Sequence, residues 1–147
     1  TRSGKSSLAS QLNAHFKNSK FISQDYFFKD RKMLPMSNST GHRNWESPDA
    51  IDWESFERCI LHTTNNGRKL CKSCQIHSTG NRSIDYVFVE GFLLYQSRTI
   101  DLFEVKIFLS INKDICYKRR MTTKSVPEDY FQKLLWPGYL QNSQLIV

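Results

Sequence analysis

The stretch Thr1-Arg2-Ser3-Gly4-Lys5-Ser6-Ser7 opens the chain and decides the fold that we predict. It matches the second half of the pattern G-x-x-x-x-G-K-[ST], a glycine-rich turn that leads into a helix and binds phosphate groups. Backbone N–H groups of such a turn point at phosphate oxygens, and the positive end of the helix dipole adds to the attraction. The first glycine of the pattern would lie two residues ahead of Thr1, so we expect a fragment that is truncated at its N terminus and also at its C terminus.

This loop supplies most of the phosphate-binding residues that we predict. Lys5 would reach the β- and γ-phosphates of ATP, and the hydroxyl of Ser6 would bind Mg²⁺. We assign the neighbouring loop residues to the same phosphate site: Arg2, Ser3, Gly4 and Ser7. The alternative interpretation is an ordinary Gly-Lys turn ahead of a helix, and the segments that follow argue against it.

Those segments alternate between helix and strand. Residues 6–16 carry Leu8, Leu12 and Phe16 at helical spacing, and residues 20–23 have the character of a short buried strand. A phosphate-binding helix that returns to a parallel strand is the order of a βαβ unit, whose first strand would precede Thr1.

The rest of the chain continues the same alternation. We predict helices over residues 53–62 with Asp52 as N-cap, from Asn112 through Arg120, and over 128–143 with an interruption at 136–138. Residues 85–91 and 105–111 are rich in aromatic and β-branched side chains and predict further buried parallel strands. The expected fold is α/β, a single three-layer αβα domain over residues 1–147 with a parallel sheet.

Composition narrows the possible partners. The chain has 147 residues, a formal net charge of +7 and 39% hydrophobic residues. No apolar stretch approaches the length of a membrane span, and no run of five basic residues marks a nucleic-acid surface. We therefore expect a cytoplasmic monomer that binds small molecules and neither nucleic acid nor a membrane.

The cysteines offer one competing metal site. Cys71 and Cys74 form a C-x-x-C pair, and Cys59 with His62 has the spacing of a second pair of zinc ligands. We favour free thiols, because Cys59 falls on an amphipathic helix and the C-x-x-C pair falls in a polar stretch.

Two carboxylates and a group of cations are candidates for the chemistry. Asp25 follows the second strand, where it would accept the proton of a substrate hydroxyl or, alternatively, cap a turn. Glu90 ends another strand and would hold Mg²⁺ directly or through water. Cations on or after one helix would neutralise charge on the phosphates or else form a solvated face; they are Lys118, Arg119, Arg120 and Lys124.

Six segments, in this order along nearly the whole chain, resemble the nicotinamide riboside kinases. They are Gly4-Lys5-Ser6, Ser23-Gln24-Asp25-Tyr26-Phe27-Phe28-Lys29, Asn44-Trp45-Glu46, Glu90-Gly91-Phe92-Leu93-Leu94-Tyr95, Lys118-Arg119-Arg120 and Trp136-Pro137-x-Tyr139. The resemblance implies a P-loop metabolite kinase that transfers the γ-phosphate of ATP to the 5′-hydroxyl of nicotinamide riboside. The product would be nicotinamide mononucleotide, for NAD synthesis.

The resemblance also implies a role for individual residues. Lys5 and Ser6 match the P-loop lysine and the Mg²⁺ hydroxyl, Asp25 the acid at the 5′-hydroxyl, and Glu90 the glutamate on the Mg²⁺ side. Residues matching the nucleoside site are Phe28 in the pocket, Trp45 as the ring that stacks on the base, and Glu46 and Arg120 at the ribose. Arg119 and Lys124 would contact ATP phosphates, with Lys124 in the place of a family arginine.

Some features depart from that family. Glu46 stands where the family has an aspartate, and the segment after Arg120 is short, so that Tyr130 does not align clearly with the second stacking ring. Two other functions stay open: a uridine/cytidine kinase, and a catalytically inactive P-loop domain that binds nucleotide and regulates a partner. The joint presence of Lys5, Ser6, Asp25 and Glu90 favours an enzyme.

Overall fold

The computed structural model describes residues 2–64, 85–123 and 126–146. The helices are α1 (Lys5–His15), α2 (Trp53–Thr64), α3 (Lys113–Thr123), α4 (Glu128–Tyr130) and α5 (Trp136–Ser143), with a π-helical turn at Phe131–Leu135. The strands are β1 (Ser19–Ser23) and β2 (Tyr86–Glu90). Among the described residues, no helix is both long enough and apolar enough to cross a bilayer.

The phosphate-binding motif forms the turn and helix predicted from its sequence. Gly4 has φ 101°, a left-handed conformation that glycine adopts without steric cost, and α1 begins at the next residue. The Leu8 N–H donates to the Gly4 carbonyl at 2.9 Å, which closes the first turn. The predicted apolar stripe of α1 faces the sheet, since Phe16 lies against Tyr86 and Phe88 with ring centroids 4.6 and 5.7 Å apart.

The two strands pair in parallel, as predicted. Their register sets Ser19 opposite Tyr86 and Ser23 opposite Glu90. Both carboxyl ends therefore meet at one edge of the sheet, which is where ligands bind in open α/β sheets.

The predicted strand over residues 105–111 is wrong for the described part of the chain. The segment is extended but pairs with no described strand, and Val105 and Ile107 are 76% and 58% exposed. A groove of about 420 Å³ lies against it, lined also by Val87 and Val89 of β2. A β-strand requires a neighbouring backbone for its hydrogen bonds, and among the described residues the sheet consists of β1 and β2, paired with each other.

One of two buried clusters packs α2 against β1 and the segment that follows it. Ile22 of β1 and Phe27 join Phe56 and Ile60 of α2 in one buried cluster. Asp52 caps α2 as predicted, because its Oδ1 accepts from the Ser55 N–H at 3.1 Å. Hydrogen bonds from the Ser55 side chain and backbone to Asp52 lower the pKa of the Asp52 carboxyl.

A second buried cluster joins α3 to the C-terminal helices and contains Cys116, Tyr130, Phe131 and Leu135. The helix was expected to break at residues 136–138, but it continues as α5, and the irregularity is the π turn that precedes Pro137. Proline cannot donate to the preceding turn and its ring crowds the carbonyl four residues back. A wider turn accommodates both effects without ending the helix.

Two predicted features fall outside the described residues. The C-x-x-C pair of Cys71 and Cys74 lies within 65–84, and the phosphate-site cation Lys124 lies within 124–125. Cys59 of the alternative zinc site is buried on α2, and the described residues contain no cluster of three metal-binding side chains.

Candidate active site

The candidate site begins at the carboxyl ends of β1 and β2. Ser23 and Glu90 are buried there, and the Ser23 hydroxyl donates a short hydrogen bond to Glu90 Oε1. The Asp25 N–H donates to the same Ser23 oxygen at 3.4 Å, while the Asp25 side chain is exposed. One serine hydroxyl thus connects the predicted base to the predicted metal ligand, and it is a residue to which sequence reasoning gave no role.

Gln24 connects the segment after β1 to the segment after β2. Its side chain is fully buried, and its Oε1 accepts from the N–H groups of Phe92 and Leu93 at 3.2 and 3.1 Å. Gly91 passes so close that a Cβ there would lie 2.6 Å from Gln24 Oε1. This contact explains the glycine after Glu90, since any side chain would displace the buried amide.

The phosphate-binding loop lies beside the arginine helix. Arg2 and Gly4 both have positive φ values, 58° and 101°, so the loop backbone bends sharply ahead of α1. Arg119 of α3 donates from Nη1 to the Arg2 carbonyl at 3.1 Å. Ser6 is exposed on the first turn of α1. Arg119, one of the predicted phosphate-binding cations, therefore lies against the predicted phosphate-binding loop.

Lys5 is shared by two cavities. One of about 60 Å³ is lined by Ser3, Lys5 and Glu46 among others, and the groove beside β2 is lined by Lys5 and Glu90. The predicted phosphate lysine is thus adjacent to the predicted ribose acid on one side and to the predicted metal acid on the other.

The two aromatic residues predicted for the base pocket pack against each other. Phe28 lies edge-on to Trp45 with ring centroids 5.1 Å apart, and it stacks on Phe92 at 5.9 Å. Trp45 is half-buried. The structure therefore brings together the predicted pocket phenylalanine and the predicted stacking ring.

Glu46 lies at the centre of the charged groups. Burial raises the pKa of its carboxyl, while Arg120, a hydrogen bond from Tyr130 and Lys5 act to lower it. Arg120 is half-buried, and its Nε is a buried donor with no hydrogen-bond partner among the described residues. A half-buried carboxylate beside a guanidinium presents both an acceptor and donors, which are the groups that a vicinal diol requires.

Sequence reasoning assigned no role to Tyr130. Its hydroxyl accepts from the Trp45 N–H at 3.1 Å and donates to Glu46 Oε1 at 3.4 Å. Tyr130 is 6% exposed, so its ring is packed in the core and is not free to stack on a ligand. No pattern in the sequence marks this contact, because its partners are 85 and 84 positions away.

Comparison with known families matches residues 1–125 to the phosphoribulokinase/uridine kinase family. The chain is 31% identical to nicotinamide riboside kinase 1 of Homo sapiens, over 98% of this chain and 73% of the human protein. It is 25% identical to a nicotinamide riboside kinase of Schizosaccharomyces pombe, over 99% of this chain and 76% of the yeast protein. A uridine kinase of Halalkalibacterium halodurans is 29% identical, over 96% of this chain and 75% of that protein.

Proposed function

The chain belongs to the phosphoribulokinase/uridine kinase family, which supports nucleoside kinase activity with ATP, and we propose that its substrate is nicotinamide riboside. The reaction would transfer the γ-phosphate of ATP to the 5′-hydroxyl and give nicotinamide mononucleotide, a step in NAD synthesis. We propose with it the full three-layer αβα fold of a P-loop kinase domain.

One observation carries this proposal. Glu46 shares a small cavity with Lys5 of the phosphate-binding loop, and the residue before it is the aromatic Trp45. A nucleoside whose ribose contacts Glu46 would have its base beside the indole and its 5′ end toward the phosphates. The adjacency suits a small nucleoside with an aromatic cationic ring.

The proposed mechanism is direct in-line transfer without a covalent enzyme intermediate. The exposed carboxylate of Asp25 accepts the 5′-hydroxyl proton and orients the nucleophile. Lys5, together with Arg119 and Arg120 on α3, neutralises charge that develops on the transferred group.

Mg²⁺ is the cofactor that we propose, and the residues present fit it. Ser6 is exposed at the start of α1, and the Ser23 hydrogen bond occupies Oε1 of Glu90, which leaves Oε2 for the metal or its water. Hydroxyl and carboxylate oxygens are ligands that Mg²⁺ prefers. When bound near Ser6 and Glu90, the ion would offset the negative charge of the ATP phosphates.

A uridine kinase is the second candidate function, favoured by the similarity to a bacterial uridine kinase at 29% identity. Ribose contacts at Glu46 and Arg120 would serve either nucleoside. The two functions differ in what Trp45 contacts, since the nicotinamide ring of the riboside is cationic and uracil is neutral.

The deciding experiment measures ATP consumption by the protein, and by Trp45→Ala, with nicotinamide riboside and uridine side by side. Attraction between a cation and an indole face contributes about 0.5–2 kcal/mol. We therefore expect Trp45→Ala to raise the KM for nicotinamide riboside about 2- to 30-fold more than the KM for uridine. The KM for ATP should stay unchanged.

Trp53→Ala is the matched control, because Trp53 lies at the start of α2 and its indole donates to the Pro48 carbonyl instead. Trp53→Ala should change the KM for nicotinamide riboside and the KM for uridine by the same factor. Equal increases in the KM for both nucleosides in Trp45→Ala would show that the ring charge is not recognised, and the two assignments would then be equally supported.

A further inference from the structure

Tyr130 connects the C-terminal helices to the loop that carries the proposed nucleoside-binding pair. It is the last residue of α4, and its ring packs in the buried cluster with Cys116 and Phe131. The ring of His42 lies edge-on to it, with centroids 6.0 Å apart. A buried tyrosine normally gives its hydroxyl a hydrogen-bond partner, and here that hydroxyl has two, on consecutive residues of the loop.

The chemistry of the two hydrogen bonds assigns their directions. The Trp45 amide can only donate, at 3.1 Å, so the single phenolic hydrogen is left for Glu46 Oε1 at 3.4 Å. Burial and the nearby Glu46 carboxyl raise the pKa of Tyr130 far above its usual value. The phenol therefore keeps its proton, and remains a donor to Glu46, at every pH at which a kinase would be assayed.

Tyr130 supplies hydrogen bonds to this pair from outside the loop, and Phe28 packs edge-on against the Trp45 ring. Trp45 and Glu46 lie outside the described helices and strands. Next to the pair, the Asn44 N–H donates to the Pro35 carbonyl at 2.8 Å and the Glu46 N–H donates to Asn44 Oδ1 at 3.0 Å. Three residues before Trp45, His42 Nε2 lies 3.4 Å from Asp129 Oδ1 on α4. From the C-terminal half, α5 also approaches closely, because a Cβ built on Gly138 would lie 3.3 Å from Glu46 Cβ.

We propose that Tyr130 is the positioning residue of the nucleoside site, holding the Trp45 backbone and the Glu46 carboxylate in one fixed arrangement. The inference rests on the proposed function of that pair. Without the hydroxyl, the nucleoside would have to order the loop as it binds, and that cost would weaken its binding. We expect the phosphate-binding loop to be unaffected, because the two hydrogen bonds of the Tyr130 hydroxyl go to Trp45 and Glu46.

Tyr130→Phe tests this directly, since it keeps the packed ring and removes only the oxygen. We expect the KM for nicotinamide riboside to rise about tenfold, which is the usual scale for losing a hydrogen bond to a charged group. The KM for ATP should stay unchanged, and kcat at saturating nucleoside should change less than twofold, because saturating substrate orders the loop. Tyr117→Phe is the control, because it removes a phenolic hydroxyl from a ring that packs against the same cluster. The Tyr117 ring contacts Phe131 edge-on, with centroids 5.0 Å apart.

A double-mutant cycle separates positioning from a general loss of stability. In a Glu46→Ala background one of the two partners of Tyr130 is already gone, so Tyr130→Phe should raise the nucleoside KM by a smaller factor than in the parent protein. A purely structural role would give the same factor in both backgrounds. Equal factors would overturn the inference.

Hydrogen–deuterium exchange in the free protein provides a readout that needs no substrate. We expect the Trp45 amide to exchange about tenfold faster in Tyr130→Phe and at the parent rate in Tyr117→Phe. Unchanged exchange and unchanged nucleoside KM in Tyr130→Phe would refute the role of Tyr130 and leave the proposed function standing. If the Trp45 amide exchanges faster in Tyr130→Phe but the parent protein phosphorylates no nucleoside, the proposed function is refuted. The hydroxyl would then hold the loop for another purpose.

Discussion

Replacing Gln24 by leucine would remove the side chain that joins β1 to the segment after β2. Gln24 Oε1 is the acceptor for two backbone N–H groups, those of Phe92 and Leu93. Leu93 is 1% exposed, so its N–H would lose its partner with no access to water, whereas Phe92 is half-buried. A buried unsatisfied donor costs about 1–3 kcal/mol, with Phe92 at the lower end of that range.

One contribution opposes this loss. Gln24 Nε2 is buried without a hydrogen-bond partner among the described residues, and leucine removes it. With about 2 kcal/mol for Leu93 and about 1 kcal/mol for Phe92, less about 1 kcal/mol for the amide nitrogen, we predict a decrease of about 2 kcal/mol in the free energy of unfolding, or roughly 5–10 °C in Tm.

The assay is equilibrium urea unfolding, with Gln96→Leu as the matched control. Gln96 is half-buried and donates to Asn142 Oδ1 from one side chain to another, so water can satisfy the Asn142 side chain after the substitution. We expect that control to cost less than about 1 kcal/mol. If Gln24→Leu unfolds with the parent m-value and is no less stable than Gln96→Leu, the reasoning that Gln24 holds this segment is refuted.

Two further predictions concern acidic residues of the site. Asp25→Asn should lower kcat about 10²- to 10⁴-fold with an unchanged KM for ATP, whereas the same change at the exposed Asp30 should leave both constants as they were; a kcat near the parent value in Asp25→Asn would contradict its role as base. Glu46→Gln should be more stable than the parent at neutral pH. Burial raises the folded-state pKa of Glu46, so the unfolded chain loses this proton at lower pH than the folded chain, and stability falls as pH rises. Thermal unfolding should show the advantage of Glu46→Gln disappearing toward about pH 4, near the unperturbed pKa, and an advantage that is independent of pH would contradict this account.

Local pattern was sufficient to predict the turn and helix to which we assign phosphate binding. Gly4 and the stripe of Leu8, Leu12 and Phe16 predicted the turn and helix that the structure contains, and Asp52 was recognised as a cap from its position alone. These features depend on residues within a few positions of one another, where helix periodicity and capping chemistry act. Their roles in binding ATP and Mg²⁺ stay predictions.

The same kind of reasoning failed where the answer depended on a neighbour. Residues 105–111 have the composition of a buried strand, yet a strand exists only where another backbone pairs with it, and no described residue forms such a pair with this segment. The sequence predicted a helix interruption at Pro137 itself, but the irregularity lies in the turn before it. A π turn at Phe131–Leu135 accommodates the missing N–H of the proline. Composition indicates what a segment can form and leaves its partners undetermined.

By itself, the sequence determined the class of site: a phosphate-binding turn, acids at strand ends, and an aromatic-acid pair. Only the tertiary structure decided how these parts are held together. Ser23 meets Glu90 through the register of two strands, and the Tyr130 hydroxyl meets Trp45 and Glu46 across 85 and 84 positions of chain. Such contacts depend on which distant surfaces are packed against each other, and no local periodicity encodes that choice.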